Sequence, residues 1–483
     1  MTIASVIDGH GSSRIALVEV GNEGDIVSTV TYGSLRRRVD ELRTVFDQHG
    51  IQRGDRVVVA AGQEPAFVAT MLAVVGLGAI AVPVSCAGPV AEFARSIAGV
   101  DPKLVACGAH GVWLMEHETQ IGTPTIDAST ASVTSAISPV IGAEPDDLAV
   151  LLLTSGVSAT PKAAMLSHGN LDWMQRTLLN GVNGPTADDR TLGVLPFTHI
   201  FGLNVVLLTG LRAGSCVYLV NRFRARPTLE LIASERMTQV AGVPPMWRAW
   251  ADLEGPADAF QSVRYASSGA AALPVGVFQA VRDIYGREIA EGYGLTETSP
   301  VVTSSRDIDP RPGSVGVVLD GVEVRILEPD GSDVDPGDIG EIWVRSPGVF
   351  KGYWNDVPAT RAVLTDDGWF FTGDVGAFDD DGFLYLVDRI KDVIIVSGFN
   401  VYPAELEEIL MEHPDIDGAI VVGVPDERTG EAIEAYVDGD VPEAELRAFL
   451  DERLSRYKRP AVIHFVEELP ITPAGKRVRR ELR

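Results

Sequence analysis

Five short segments of this chain gather residue types that suit a phosphorylated substrate. The first, LLLTSGVSATPKAAMLSHGN, runs from Leu151 to Asn170. An apolar stretch empties into Thr154, Ser155 and Gly156, Ser158 and Thr160 follow, and Lys162 closes the loop. Hydroxyls, exposed backbone N–H groups and one ammonium suit a polyphosphate. The segment is not a G-x-x-x-x-G-K-[ST] loop, because Pro161 stands at the second glycine and Ala163 at the hydroxyl position. Taken alone, a polar surface turn explains it equally well. The second segment is EGYGLTETSP, Glu291 to Pro300. An aromatic ring between glycines can face a base, and Thr296-Glu297 adds a hydroxyl and a carboxylate of the kind that holds Mg2+ beside a triphosphate. A tight turn with a solvated glutamate is the plain alternative. The third, WFFTGDVG, presents Asp374 from a glycine turn to a ribose diol. The fourth, VDRIKDVIIVSGFNVYPAELE, joins a strand-rich region to the last part of the chain. The fifth, PITPAGKRVRRELR, places Lys476 after a Pro-Ala-Gly turn, in what also reads as a solvated basic run.

Alternating helix and strand patterns must position these segments. Leu35, Val39, Leu42 and Phe46 share one helical face, and Gly50 follows as a stop. Val57 to Ala61 reads as a short apolar strand. Phe67 to Val84 is nearly long enough to span a bilayer, but Thr70, Gly76, Gly78 and Pro83 interrupt it and no Lys/Arg asymmetry flanks it. A buried helix followed by a buried strand is expected there. Ala149 to Leu153 predicts another buried strand. Ser167 is placed to cap a helix bearing Leu171, Met174 and Leu178 and ending near Gly181. Such alternation predicts a mostly parallel sheet covered by helices. From Gly313 to Tyr385, short strands such as Glu323–Leu327 and Glu341–Val344 alternate with PDGSD and DPGD turns, which predicts a small β subdomain. A compact α/β pattern follows Arg389.

Bulk composition narrows the partners. The 483 residues are 46% hydrophobic and 22% charged, so the chain is globular and long enough for several cores. A formal net charge of -27 repels phosphate backbones, which argues against nucleic acid. Cys86, Cys107 and Cys216 fit no disulfide framework and are expected as three buried, inert thiols. The opening MTIASVIDGHGSS has neither a basic region nor an apolar core, so a cytoplasmic protein without a leader or transmembrane segment is expected.

In this order and at these separations, the segments resemble the adenylate-forming superfamily, which includes acyl- and aryl-CoA synthetases, peptide-synthetase adenylation domains and firefly-type luciferases. The resemblance runs from TYGSL at Tyr32 to PAGK at Lys476. It implies an α/β fold whose large N-terminal domain, 1–388, has two mostly parallel helix-flanked sheets and a small β subdomain at about 313–388. A small mobile α+β domain, 389–483, would turn about a hinge at Lys391. It also implies an ATP-dependent acid–thiol ligase that makes an acyl-AMP, releases pyrophosphate and passes the acyl group to CoA. Thr154, Ser155, Gly156, Ser158, Thr160 and Lys162 would then bind phosphates, and Gly269, Ala270 and Ala271 would flank adenine. Tyr293 would stack on adenine, with Gly294 beside it and Glu291 near the amino edge. Thr296 would contact the α-phosphate, Glu297 would hold Mg2+, and Asp374 and Arg389 would bind ribose. Lys476 would bridge ribose and α-phosphate, and Gly398 would line the path of the CoA thiol.

Three departures in the loop and one substitution elsewhere refine these expectations. The family loop usually reads T-S-G-[ST]-[ST]-G-x-P-K-G, whereas this chain has Val157, Ala159 and Ala163. Val157 removes a donor and Ala159 strains any left-handed backbone, so weakened ATP handling is expected. Within LPFTHIFGL, Thr198 stands where amino-acid-activating relatives carry an Asp for the substrate ammonium, which disfavours an α-amino acid. Phe197, His199, Phe201, Gly202 and Gly294 would line the acyl pocket. His199 would act as its gate, with a core histidine as the alternative. Ile200 and Leu203 add apolar surface, so a fatty or other apolar acid is expected, aliphatic or aryl. An acyl carrier protein is the alternative acceptor, although no insertion of the kind typical of fatty acyl-AMP ligases is found. A degenerate nucleotide- or acyl-binding member of the family is the non-enzyme alternative.

Overall fold

The computed structural model describes residues 2–133, 137–154, 161–253, 255–328, 331–389, 392–396, 399–426, 430–470, 479 and 482. By packing they form two compact units. One comprises Met1–Glu323 with Arg345–Phe370, and the other Val324–Val344 with Phe371–Arg483.

The larger unit is built on two sheets. In the nine-stranded sheet six consecutive strands run parallel: Ala290–Gly294, Tyr265–Ser268, Gln239–Gly242, Arg190–Gly193, Cys216–Val220 and Ile15–Val20. Antiparallel strands, Val301–Ser304 on one side and Ile26–Thr31 on the other, extend it. The six-stranded sheet runs Thr125–Asp127, Leu104–Cys107, Arg56–Ala60, Ile80–Pro83, Leu148–Thr154 and Lys162–Ser167, with the last pair antiparallel. Two mostly parallel sheets are thus present, as the sequence pattern and the resemblance led us to expect.

Local chemistry explains the elements. The helix Tyr32–Gln48 starts where the Thr31 side chain accepts from the Ser34 N–H, and it buries Leu35, Val39, Leu42 and Phe46. The Tyr32 hydroxyl donates to the Leu211 and Ser215 carbonyls, so its polar tip is satisfied inside the core. The near-bilayer-length stretch is a helix, Pro65–Gly76, and a strand, Ile80–Pro83, both buried in protein. No helix among the described residues is long and apolar enough to cross a membrane. Of the three thiols, Cys107 alone is buried, while Cys86 and Cys216 are partly exposed. Burial nonetheless pushes Cys216 up to about 11 and Cys107 up to about 12, so these two stay protonated and unreactive.

The second unit holds most of a four-stranded sheet: Glu323–Leu327, Gly340–Arg345, Phe370–Phe378 and Leu384–Arg389. It also holds a five-stranded sheet centred on Gly430–Gly439. Helices Pro403–Met411 and Glu443–Arg453 cover the latter through Leu406, Leu410, Leu446 and Leu450.

Candidate active site

The phosphate-loop segment folds as the base of a hairpin. Leu148–Thr154 pairs antiparallel with Lys162–Ser167, so Thr154 and Lys162 face each other across the ladder. The Thr154 hydroxyl donates to the Lys162 carbonyl at 3.3 Å. Ser155, Gly156, Val157, Ser158, Ala159 and Thr160 lie outside the described residues. Ala163, one of the departures, is buried on the second strand opposite Leu153. That strand runs into Ser167, whose side chain accepts from the Asn170 N–H while Asn170 accepts from the Ser167 N–H. This capping box starts the helix His168–Asn180 and fixes the end of the motif.

Two further segments are brought to this hairpin. Residues 350–354 lie along its second strand: Met165 N donates to Gly352 O at 2.9 Å, and Lys351 N to Met165 O at 2.9 Å. Trp354 N donates to Ala163 O at 2.8 Å. At the other end Phe350 N donates to Glu297 O at 2.8 Å, which draws in the short helical turn Thr296–Thr298. Side chains then converge on Tyr353. Its buried hydroxyl donates to Glu297 Oε1 at 2.8 Å, and Lys162 Nζ lies 4.8 Å from its ring centroid. The expected phosphate-binding lysine and metal-holding carboxylate therefore meet on one tyrosine. Sequence reading passed over Tyr353, and its setting in KGYWND gives no pattern that would single it out.

The segments expected to flank the base lie on adjacent parallel strands. Ser268, at the end of one, pairs in register with Glu291 on the next. Beyond Ser268 the chain turns through Gly269, Ala270 and Ala271. Ala270 adopts a φ of 69° although it carries a Cβ, a backbone conformation costing on the order of 1–3 kcal/mol. Glu291 is 5% exposed, and its Oε2 accepts from the Leu273 N–H at 3.3 Å, tying down the far end of that turn. Burial pushes the Glu291 carboxyl up to about 7. Tyr293 is buried. Gly294 is required for space: a Cβ there would lie 1.8 Å from the Pro300 carbonyl oxygen.

The segment expected to line the acyl pocket approaches the same turn. A Cβ on Gly269 would lie 3.1 Å from Phe201 Cε1, so a side chain there would require that ring to shift by a few tenths of an ångström. Phe197 is buried against Phe67, with ring centroids 5.5 Å apart, and Gly202 is buried too. His199 is exposed, which removes the core-histidine alternative. From Phe201 to Leu208 the backbone winds as a π-helix, a form concentrated at functional sites.

In the second unit, Asp374 and Arg389 are directly paired across antiparallel strands, so the two expected ribose residues share one register position. The glycine turn beside Asp374 is a kink within its strand, with Gly373 at φ 70°. Lys391, Gly398 and Lys476 lie outside the described residues. Arg479, three positions beyond Lys476, is not. Its Nη2 lies 3.0 Å from both Glu407 oxygens, and its Nη1 lies 3.4 Å from Asp388 and 3.2 Å from Asp392.

Magnesium fits the donor set of the larger unit. Among the described residues no group of three His, Cys, Asp or Glu side chains gathers to form a closed metal cage. One buried carboxylate, Glu297, is what Mg2+ requires when phosphate oxygens and water complete its octahedron.

Comparison with known proteins shows the family. Residues 6–354 match the family model described as AMP-binding enzyme, and residues 405–476 match the AMP-binding enzyme C-terminal domain. The chain is 35% identical to a feruloyl-CoA synthase of an Amycolatopsis species, over 94% of each chain. It is 32% identical to 4-coumarate–CoA ligase 1 of Solanum tuberosum, over 98% of this chain and 91% of that one. The O-succinylbenzoate coenzyme A synthetase of Bacillus subtilis, in complex with ATP and a magnesium ion, superposes with a TM-score of 0.88. That match is at 28% identity and covers 100% of this chain and 99% of the other.

Proposed function

Because the chain belongs to the AMP-binding enzyme family, we propose that it is an AMP-forming acid–CoA ligase. Its substrates are ATP with Mg2+, a carboxylic acid and CoA. The observation that carries this reading is the convergence of Lys162 and Glu297 on Tyr353, which assembles a cation and a metal-ready carboxylate on one surface.

In the first step the substrate carboxylate attacks the α-phosphorus and the bond to pyrophosphate breaks. The protein aligns the reactants and offsets charge on the phosphoryl oxygens. Lys162, the Thr296 hydroxyl, the loop N–H groups and Lys476 are the agents, and Glu297 holds the magnesium. When bound, that ion shields the negative charge that gathers between the departing and remaining phosphates. Asp374 and Arg389 take the ribose. In the second step the CoA thiol, entering past Gly398, displaces AMP from the acyl carbon. The domain from 389 onward turns about Lys391 between the two steps.

The acid is apolar, and within that class we favour a planar aryl acid. The expected acyl segment carries the buried apolar side chains Phe197, Ile200 and Leu203, with Phe201 close to the Gly269 backbone. Two of the relatives are named for feruloyl and 4-coumarate groups, both aryl acids. The test offers purified protein ATP, Mg2+ and hydroxylamine with a panel of phenylpropenoic, benzoic and straight-chain fatty acids. We expect hydroxamate and pyrophosphate with the aryl acids, and thioester when CoA replaces hydroxylamine. Hydroxamate from no acid at all sinks the ligase reading. Turnover of fatty acids alone overturns the aryl preference, and thioester on a holo-carrier protein but not on CoA overturns the acceptor.

A further inference from the structure

We propose that Tyr353 is a positioning residue that sets the metal dependence of nucleotide binding by fixing which oxygen of Glu297 faces the cation. The Tyr353 hydroxyl donates to Oε1 at 2.8 Å in a buried setting, which engages that oxygen and leaves Oε2 for a metal. A carboxylate so held offers one oxygen, the form an octahedral Mg2+ takes beside phosphate and water. The ring of the same residue lies 4.8 Å from Lys162 Nζ. Tyr353 thereby touches both the ammonium and the carboxylate.

The placement is rigid for reasons independent of any ligand. The backbone around Tyr353 is bonded to Ala163 and Met165 on one side, and its own N–H donates to the Thr360 hydroxyl at 2.9 Å. Its ring packs edge-on to Phe350, with centroids 5.0 Å apart. The Tyr353→Phe variant keeps all of this and loses only the hydroxyl.

The inference rests on the ligase reading only through ATP and Mg2+. Its test is calorimetric binding of ATP, without acid substrate, in Mg2+ and in EDTA. A hydrogen bond to a charged group is worth roughly tenfold or more in affinity. Tyr353→Phe is therefore expected to bind ATP about tenfold more weakly in Mg2+ and within about twofold of the parent in EDTA. In a Glu297→Gln background the same change should have no further effect. Equal weakening in both media would mark Tyr353 as merely structural, and unaltered binding in Mg2+ would remove its role; either overturns the proposal. A parent protein that binds no ATP overturns the ligase reading as well.

Discussion

A single carboxyl, Glu291, gives the sharpest test at the scale of one residue. Burial raises it from 4.5 to about 7, so the folded state holds its proton more tightly than the unfolded chain does. Its contribution to stability is complete below pH 4.5, falls as pH rises toward 7, and is absent above that. The loss amounts to something on the order of 3 kcal/mol. Glu291→Gln keeps an oxygen to accept from the Leu273 N–H but cannot ionise. We expect the variant to unfold at a higher temperature than the parent at pH 8 and at nearly the same temperature at pH 4.5. A difference that does not change between those pH values would mean Glu291 ionises normally. Residue identities at this scale were partly legible in sequence: Glu291, Glu297, Asp374 and Lys162 stand out by type and by neighbours. Tyr353 does not, because its significance arises from a hydroxyl meeting a carboxylate 56 positions away. No local pattern encodes that distance.

Elements were legible wherever one chain segment decides its own conformation. The helix Tyr32–Gln48 follows from its apolar periodicity and a glycine stop, and the strand Leu148–Thr154 from an apolar run. The extra pairing of residues 350–354 does not, since it depends on partners far along the chain, and no pattern in the sequence marks the π-helix at Phe201–Leu208. Arg479 shows what such a partner is worth. It sits among Glu407, Asp388 and Asp392, and Glu407 Oε1 also accepts from the Val421 N–H at 2.8 Å. Removing one member of a buried charge cluster costs about 3–5 kcal/mol, because the remaining charges lose their compensation. Arg479→Met should therefore speed amide hydrogen exchange in the strand Ile416–Asp426, with no change in Leu148–Thr154. Unchanged exchange in both strands would mean the cluster contributes little.

For the whole molecule, the question is how one chain serves two reactions in turn. A net charge of -27 works against ATP and CoA at long range, so the cations that meet them must be local and few. Lys162 is built into the hairpin, whereas Lys476 lies on the tail. Arg479 ties that tail to Asp388, which precedes Lys391, and to Asp392 and Glu407, which follow it. The rotation we propose at Lys391 would exchange the Asp388 contact while the other two travel with the tail. Proline at 391 locks φ near -65° and removes the backbone N–H, so it should hold the chain on one side of that exchange. We expect Lys391→Pro to release pyrophosphate in a single burst of acyl-AMP and to form almost no thioester from CoA. Lys476→Ala should do the reverse, losing adenylation by orders of magnitude yet converting supplied acyl-AMP to thioester at near the parent rate. The pair separates two causes that one variant cannot: a damaged nucleotide site slows the burst in both proteins, whereas a blocked hinge spares it in the proline variant alone. Thioester formed by Lys391→Pro at the parent rate would rule out rotation at that residue.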